Sequence, residues 1–346
     1  MQLYLNKYAN IKDDDYRLVR DLKIALYEYA PSSEIMVDKK IITSRYICNA
    51  NELSRLYSYE CKKCHKVTVN EFRIDKMTCE TCKEEIKERN AYFITPKFGF
   101  FGFVEDNKEG VLKPKQSFSS PLRYIGQGLE YNHKKINDLL EFSVIKDDEL
   151  LIKNDNNFFV CEDCGYTIVN NEYRCNNLDK VVDKLPHKDS FNKQCNNKEL
   201  KKHSLGFKYK TDVLKMKISL PFEHGEDEAH SVLYALLEGI ALAFDIERND
   251  IDGIYIYENY NPVFVLFDTV PGGAGHVTRL LEEKEMKKAF EYAYEKVNQN
   301  CCDTSCYSCI RNYKNQKYHT NLRRELAKNY LEKIIKTFDN NNITKN

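Results

Sequence analysis

Thirteen cysteines carry most of the chemistry open to this 346-residue chain, and spacing sorts twelve of them into three clusters. Cys61-Lys62-Lys63-Cys64 is followed by Cys79-Glu80-Thr81-Cys82. Paired CxxC knuckles are the layout of a four-thiolate zinc ribbon, because each tight turn lets both sulfurs reach one tetrahedral ion at about 2.3 Å. Between them, Val67 to Met77 alternates apolar and polar residues and predicts a hairpin carrying the knuckles.

The second cluster begins at Cys161-Glu162-Asp163-Cys164-Gly165, where the glycine suits the positive φ such turns require. Two more ligands are needed. Cys195 is the expected third, Cys175 and His187 are rivals for the fourth, and His203 is a further competitor. The third cluster is Cys301-Cys302-Asp303-Thr304-Ser305-Cys306-Tyr307-Ser308-Cys309. Cys302, Cys306 and Cys309 are the expected ligands, with Cys301 or His319 as the fourth, since neighbouring cysteines reach one ion only with backbone strain. The same thiolates suit an iron–sulfur cluster, but zinc is preferred, giving up to three Zn2+ sites. Cys48 stands alone beside apolar residues and reads as core filler.

The elements that position these clusters are legible in outline. Helical spacing around Leu18, Leu22 and Leu26 ends at Ala30-Pro31, and Glu34 to Ser44 reads as two short strands. Aromatic and glycine residues from Tyr92 to Val111 suggest β-structure. Tyr209 to Leu220 is a strand, and Glu226-Asp227-Glu228 opens a helix that is apolar on nearly every face through Phe244. Gly253 to Tyr257 and Val263 to Phe267 are strands, a helix is expected from His276, Met286 to Val297 is amphipathic, and a last helix spans Leu322 to Phe338. The fold class is therefore α+β. A mixed-sheet C-terminal domain with packed helices follows a β-rich region containing zinc-ribbon-like modules. The expected divisions are 1–60 (N-terminal helix and short strands), 61–90 (zinc ribbon), 91–160 (β-rich linker), 161–204 (second zinc module) and 205–340 (α+β domain with the third cluster).

Fifty-three basic residues balance fifty-three acidic ones, which excludes a uniformly basic coat. The balance is uneven, however. Gly206 to Val270 holds five basic and twelve acidic residues, net −7, whereas Cys301 to Lys336 holds eight and three, net +5. In that basic stretch Arg311, Lys314, Lys317, Arg323 and Arg324 interleave with Tyr313 and His319, a pattern suited to phosphates and stacked bases. Pro271-Gly272-Gly273-Ala274-Gly275 outlines a phosphate loop through Gly272, Gly273 and Gly275, with a tight structural turn as the equal alternative. No GxxxxGK[ST] or GxGxxG motif occurs. No run approaches the roughly 20 apolar residues of a membrane span, and no signal-peptide pattern opens the chain, so a cytoplasmic location without membrane partners is expected.

Phe267-Asp268-Thr269-Val270-Pro271-Gly272-Gly273-Ala274-Gly275-His276-Val277, Asp303 to Cys309, and Arg311-Asn312-Tyr313-Lys314-Asn315-Gln316 with His319 together resemble the zinc-binding C-terminal domain of mitomycin-repair-type helicases, the MZB family. Similar domains occur in DEAD/DEAH-box helicases and in DISARM anti-phage subunits. The likeness continues upstream through His187, Cys195, Leu205-Gly206 and Thr211-Asp212-Val213, and faintly to Tyr29-Ala30-Pro31. It implies that Cys302, Cys306 and Cys309 bind metal. The family's first cysteine falls at Asn300 here, with Cys301 as substitute. It also implies a DNA-binding accessory part that works with a separate helicase motor in DNA repair or phage defence, since the motor's own motifs are missing. Two other readings compete. One is a metal-dependent nuclease using Asp212, Asp268 and Glu258. The other is a structural adaptor whose acidic face, Gly206 to Val270, docks a helicase partner.

Overall fold

The computed structural model describes residues 1–5, 18–37, 40–86, 92–104, 122–126, 128, 130–154, 158–169, 181–182, 185–259 and 261–343. Its spine is a pair of long antiparallel strands, Leu140–Lys153 and Leu200–Ile218, in register from Leu140 opposite Ile218 to Lys153 opposite Gly206. A bulge between Ile145 and Asp148 lets the pair bend. Buried and half-exposed positions interchange along both strands, which fits a sheet covered by helices on one face and by smaller clusters on the other.

Leu200–Ile218 is the organising element. Its C-terminal half pairs with Leu140–Lys153 and Asn261–Asp268, and Asn261–Asp268 pairs in turn with Ile251–Glu258. Its N-terminal half pairs with Phe158–Val160, Val181–Val182 and, in parallel, Tyr92–Ile94. The division expected at residue 205 thus lies inside one continuous strand that belongs to the second zinc module and the C-terminal region alike. The long Leu140–Lys153 strand falls in the segment read only as a β-rich linker.

Helices Gly225–Phe244, Glu283–Asn298 and Arg324–Ile343 cover the C-terminal part of the sheet and build the largest core cluster. The first of them buries fourteen of its twenty residues, as its sequence demands. Glu228 in its first turn accepts from the backbone N–H of Glu223 and His224 at 2.6 and 2.9 Å, capping the helix start. The helix expected from His276 is instead a short 3-10 turn, Val277–Leu281, ended by extended Glu282.

The N-terminal region forms a five-stranded sheet of Leu18–Val19, Gln2–Leu5, Phe100–Val104, Lys40–Ile47 and Glu34–Val37, packed with the short helix Leu22–Glu28 over a separate core. Among the described residues no helix is long and apolar enough to cross a membrane.

Candidate metal centres

Three knuckles share one construction. Strands Arg55–Glu60 and Val67–Asn70 flank Cys61 and Cys64, Met77–Thr78 and Glu85–Ile86 flank Cys79 and Cys82, and Phe158–Val160 and Thr167–Val169 flank Cys161 and Cys164. The pairs Glu60/Val67, Thr78/Glu85 and Val160/Thr167 close the three hairpins at the same offset. The hairpin expected between the first two knuckles is therefore two hairpins, each with a knuckle as its turn. The reason is local. Within each turn the first cysteine's N–H donates five residues ahead, to Lys66, Glu84 or Tyr166, and its carbonyl accepts from His65, Lys83 or Gly165. Those last three residues have φ of 62°, 59° and 76°. Glycine at position 165 serves a second purpose, because a Cβ there would lie 1.9 Å from the carbonyl oxygen of Ile47.

The donors converge in three groups of four, each with its ligand atoms within 4.8 Å of one another. In the first, Cys61 and Cys82 sulfurs are 3.4 Å apart and Cys64 and Cys79 sulfurs 3.5 Å apart. The second gathers Cys161, Cys164, His187 and Cys195, with Cys161 and Cys195 sulfurs 3.9 Å apart. The third gathers Cys301, Cys302, Cys306 and Cys309, with sulfur separations of 3.5 to 3.8 Å. A tetrahedral ion with metal–sulfur bonds of about 2.3 Å sets its sulfurs about 3.8 Å apart, so the spacing fits zinc.

His187 supplies an independent sign. Its Nδ1 lies 2.9 Å from the Leu185 carbonyl, which can only accept, so Nδ1 carries the hydrogen and Nε2 keeps its lone pair. That Nε2 is buried without a hydrogen-bond partner. The ring stacks on Tyr166 at 4.7 Å, which fixes its plane. Of the rivals for this site, Cys175 lies outside the described residues. His203 sits elsewhere, its Nε2 3.3 Å from Glu162 and its ring against Tyr92. Glu162, inside the knuckle, also pairs with Lys201 at 2.7 Å and with Arg55, tying the second centre to the strand that leads into the first.

Each group holds one thiol below the usual thiol range and at least one above it. A hydrogen bond from Cys164 brings Cys161 down to about 5. Cys79 and Cys306 fall to about 7 and about 6, where backbone N–H groups and neighbouring thiols outweigh burial. Burial and the adjacent sulfurs raise Cys64 and Cys302, and for Cys164 the hydrogen bond to Cys161 is the leading cause, ahead of burial. A second thiolate beside the first is unfavourable until a divalent cation joins them.

The first two groups are mostly buried, whereas Cys301 is exposed and Cys302 and Cys306 half-buried. Adjacent Cys301 and Cys302 do turn to the same point, their sulfurs 3.7 Å apart. His319 does not join them. Its Nε2 meets Asn315 Oδ1 at 2.9 Å and the Asn312 carbonyl at 3.1 Å.

The arginines of the basic stretch are turned back onto the protein's own backbone. Arg324 is 8% exposed, its Nε donating to the Cys302 carbonyl at 2.7 Å and its Nη1 to the Val297 carbonyl at 3.1 Å. Arg311 bonds Ser305 Oγ and the His319 carbonyl. Arg323 Nη1 donates to the carbonyls of Thr320 and Leu322. Lys314 is exposed, and desolvation from the chain around it lowers its ammonium pKa, with Asp252, Lys23 and Arg248 nearby. The cause is unpaired backbone: the carbonyls of Val297 at a helix end, of Cys302, and of His319, Thr320 and Leu322 in the loop before Arg324 are met by the three arginines. Tyr313, Lys314 and Lys317 remain outward, as does Tyr307 against the His319 ring, with Tyr313 touching Tyr27 Oη at 3.3 Å and Lys317 lying over Tyr318.

The glycine turn is occupied by its own protein. Gly272, Gly273 and Gly275 have φ of 85°, 78° and 79°, as a tight turn requires. Fully buried Asp268 accepts from the N–H of Ala274 at 2.7 Å and of His276 and Val277 at 3.1 Å. Gly272 and Gly273 donate to the carbonyls of Lys210 and Val270. The donors a phosphate would use are thus taken by a carboxylate and two carbonyls. Asp268 itself is a cap, and Glu258 pairs with Lys215 at 2.7 Å. Asp212, Asp268 and Glu258 do not gather into a cation site among the described residues.

One segment, from the central helix through the third cysteine cluster, matches a known family model. Residues 232–310 match the MZB family, the MrfA Zn-binding domain. The MZB segment holds the helix from Val232, the glycine turn and all four cysteines of the exposed cluster. Two solved structures of the DUF1998 helicase MrfA also align with the chain. The one bound to DNA does so at 11% identity with a TM-score of 0.39, covering 70% of this chain and 28% of that one. The other does so at 9% identity with a TM-score of 0.37, covering 89% and 32%. The chain thus spans about a third or less of those helicases. No curated protein matches it.

Proposed function

We propose that this chain is a zinc-stabilised, DNA-binding accessory module that works with an ATP-driven helicase motor in DNA repair or anti-phage defence in the cytoplasm. What carries the reading is the third cluster: four convergent thiols within the MZB segment, in a loop that also presents Tyr307, Tyr313 and Lys317 to solvent. Cys61, Cys64, Cys79 and Cys82 would hold one zinc ion, Cys161, Cys164, His187 and Cys195 a second, and Cys301, Cys302, Cys306 and Cys309 a third. When bound, the ions would fix loops whose own apolar contacts are sparse. The exposed aromatics and lysine would then meet bases and phosphates.

A purely structural docking role has one observation in its favour, the inward commitment of Arg311, Arg323 and Arg324. Anisotropy of a labelled single-stranded oligonucleotide separates the two. The accessory-module reading expects binding by the zinc-loaded chain that weakens steeply with salt and is lost after chelation. Absence of binding at low salt by a fully metallated chain leaves only the docking role.

A further inference from the structure

An open groove of about 670 Å3 lies between the N-terminal sheet and the second metal centre, far in sequence from the basic stretch. Its walls are unusually aromatic: Tyr4, Tyr46, Phe98, Phe101 and Phe191 all line it. Tyr4, Phe98 and Phe191 are among the exposed large hydrophobic side chains of the protein, and Phe191 is 69% exposed. Leaving such rings together in water is unfavourable, which marks the groove as a contact surface.

Phe191 is also held rigidly. It caps the loop 188–194, whose two flanking residues, His187 and Cys195, belong to the second metal group. The Cys195 N–H donates to the His187 carbonyl at 3.0 Å, and Lys188 bridges Gln194. Asp189 Oδ1 accepts from the N–H of Phe191 and of Lys193, each at 2.9 Å. Tyr46 Oη, from the groove's floor, donates to the Lys188 carbonyl at 2.8 Å. A ring displayed on a loop tied at both ends loses little conformational freedom when it binds.

The charges beside the rings select the partner. Lys97 lines the groove, and Lys188 and Lys193 flank Phe191 on its loop. Lys188 donates to a neutral amide oxygen, Asn192 Oδ1, at 2.9 Å. Among the described residues that line the groove the carboxylates are Asp163 and Asp189, and Asp189 already faces two backbone N–H groups. Three ammonium groups against two acids, one of them so engaged, favour an anionic backbone with flat apolar rings attached.

We propose that this groove binds single-stranded nucleic acid, with a base stacked on Phe191 against Tyr4 or Phe98 and phosphates near Lys97, Lys188 and Lys193. The proposal rests on the nucleic-acid reading above and gives it a second surface, one that depends on the second metal centre.

The test uses the full zinc-loaded chain and a fluorescently labelled oligothymidine, followed by anisotropy. Phe191→Ala and Phe98→Ala should each weaken binding about tenfold, the range of one lost base–aromatic stack. Phe72→Ala removes a ring that is 77% exposed on the first ribbon and outside the groove, and should leave affinity unchanged. Because Phe191 is mostly exposed, its loss leaves the fold intact, and an unaltered melting temperature checks this. Binding by the parent chain that neither groove substitution alters overturns the groove while sparing the nucleic-acid reading. No binding by the parent chain overturns both.

Discussion

The guanidinium of Arg324 donates to the carbonyl of Cys302 at 2.7 Å, so the last helix grips the third cysteine cluster from beneath. The same side chain reaches the Val297 carbonyl at the end of the preceding helix, where a buried cation also meets the negative end of the helix dipole. Arg324→Met should destabilise the protein by about 2–4 kcal/mol, because two buried carbonyls lose a charged donor. It should also speed zinc release to a chromogenic chelator. Lys317→Met, an exposed neighbour, should do neither.

Asp268 makes a comparable prediction against a nuclease. Asp268→Ala strips three N–H groups of their acceptor and should lower stability by about 2–4 kcal/mol in urea unfolding. Asp212→Ala and Glu258→Ala lose no such cap and should be milder. Magnesium-dependent plasmid nicking that vanishes with Asp268→Asn while the fold survives would restore the nuclease reading.

At the second centre, His187→Ala should reduce bound zinc by one ion per chain, and His187→Cys should restore it. Gly165→Ala should cost about 3 kcal/mol or more, since it forces a positive φ and a clash with the Ile47 carbonyl, and should loosen the same ion. Metal analysis alongside thermal melting reads both effects.

His203 makes stability depend on acid. Burial first, then Arg55 and Lys201, pushes its pKa from 6.5 down to about 3, so the folded state holds it neutral. Between those values the unfolded chain binds the extra proton. The stability is therefore present above about pH 6.5 and is lost as pH falls toward about 3. His203→Leu cannot titrate, and its unfolding free energy should decline less steeply than the parent's across that window. The difference amounts to a few kcal/mol on the order of 1.4 per pKa unit.

Much of this architecture is legible in the sequence. The apolar helix through Phe244, the paired strands before Asp268 and eleven of the clustered cysteines all announce themselves, because burial and tetrahedral coordination impose short-range spacing. What spacing leaves open is set by long-range pairing. Nothing local in Leu200 to Ser204 shows that it continues the strand of Tyr209, since its partners lie at Phe158 and Phe93. His187 and His203 look alike in sequence. Only a carbonyl at Leu185 and a carboxylate at Glu162 assign them different work. Arg311, Arg323 and Arg324 read as a nucleic-acid face because composition reports charge but not direction. Phe191 carries a sequence signal of its own, an aromatic midway between His187 and Cys195 of the second group.

Metal content of the purified chain tests the account most directly. Mass spectrometry of the native protein, with free-thiol titration before and after denaturation, should give three zinc ions per chain and eleven cysteines that become reactive only when the metal leaves. Fewer than three ions in a fully reduced, folded chain, iron in place of zinc, or cysteines found as disulfides would contradict it.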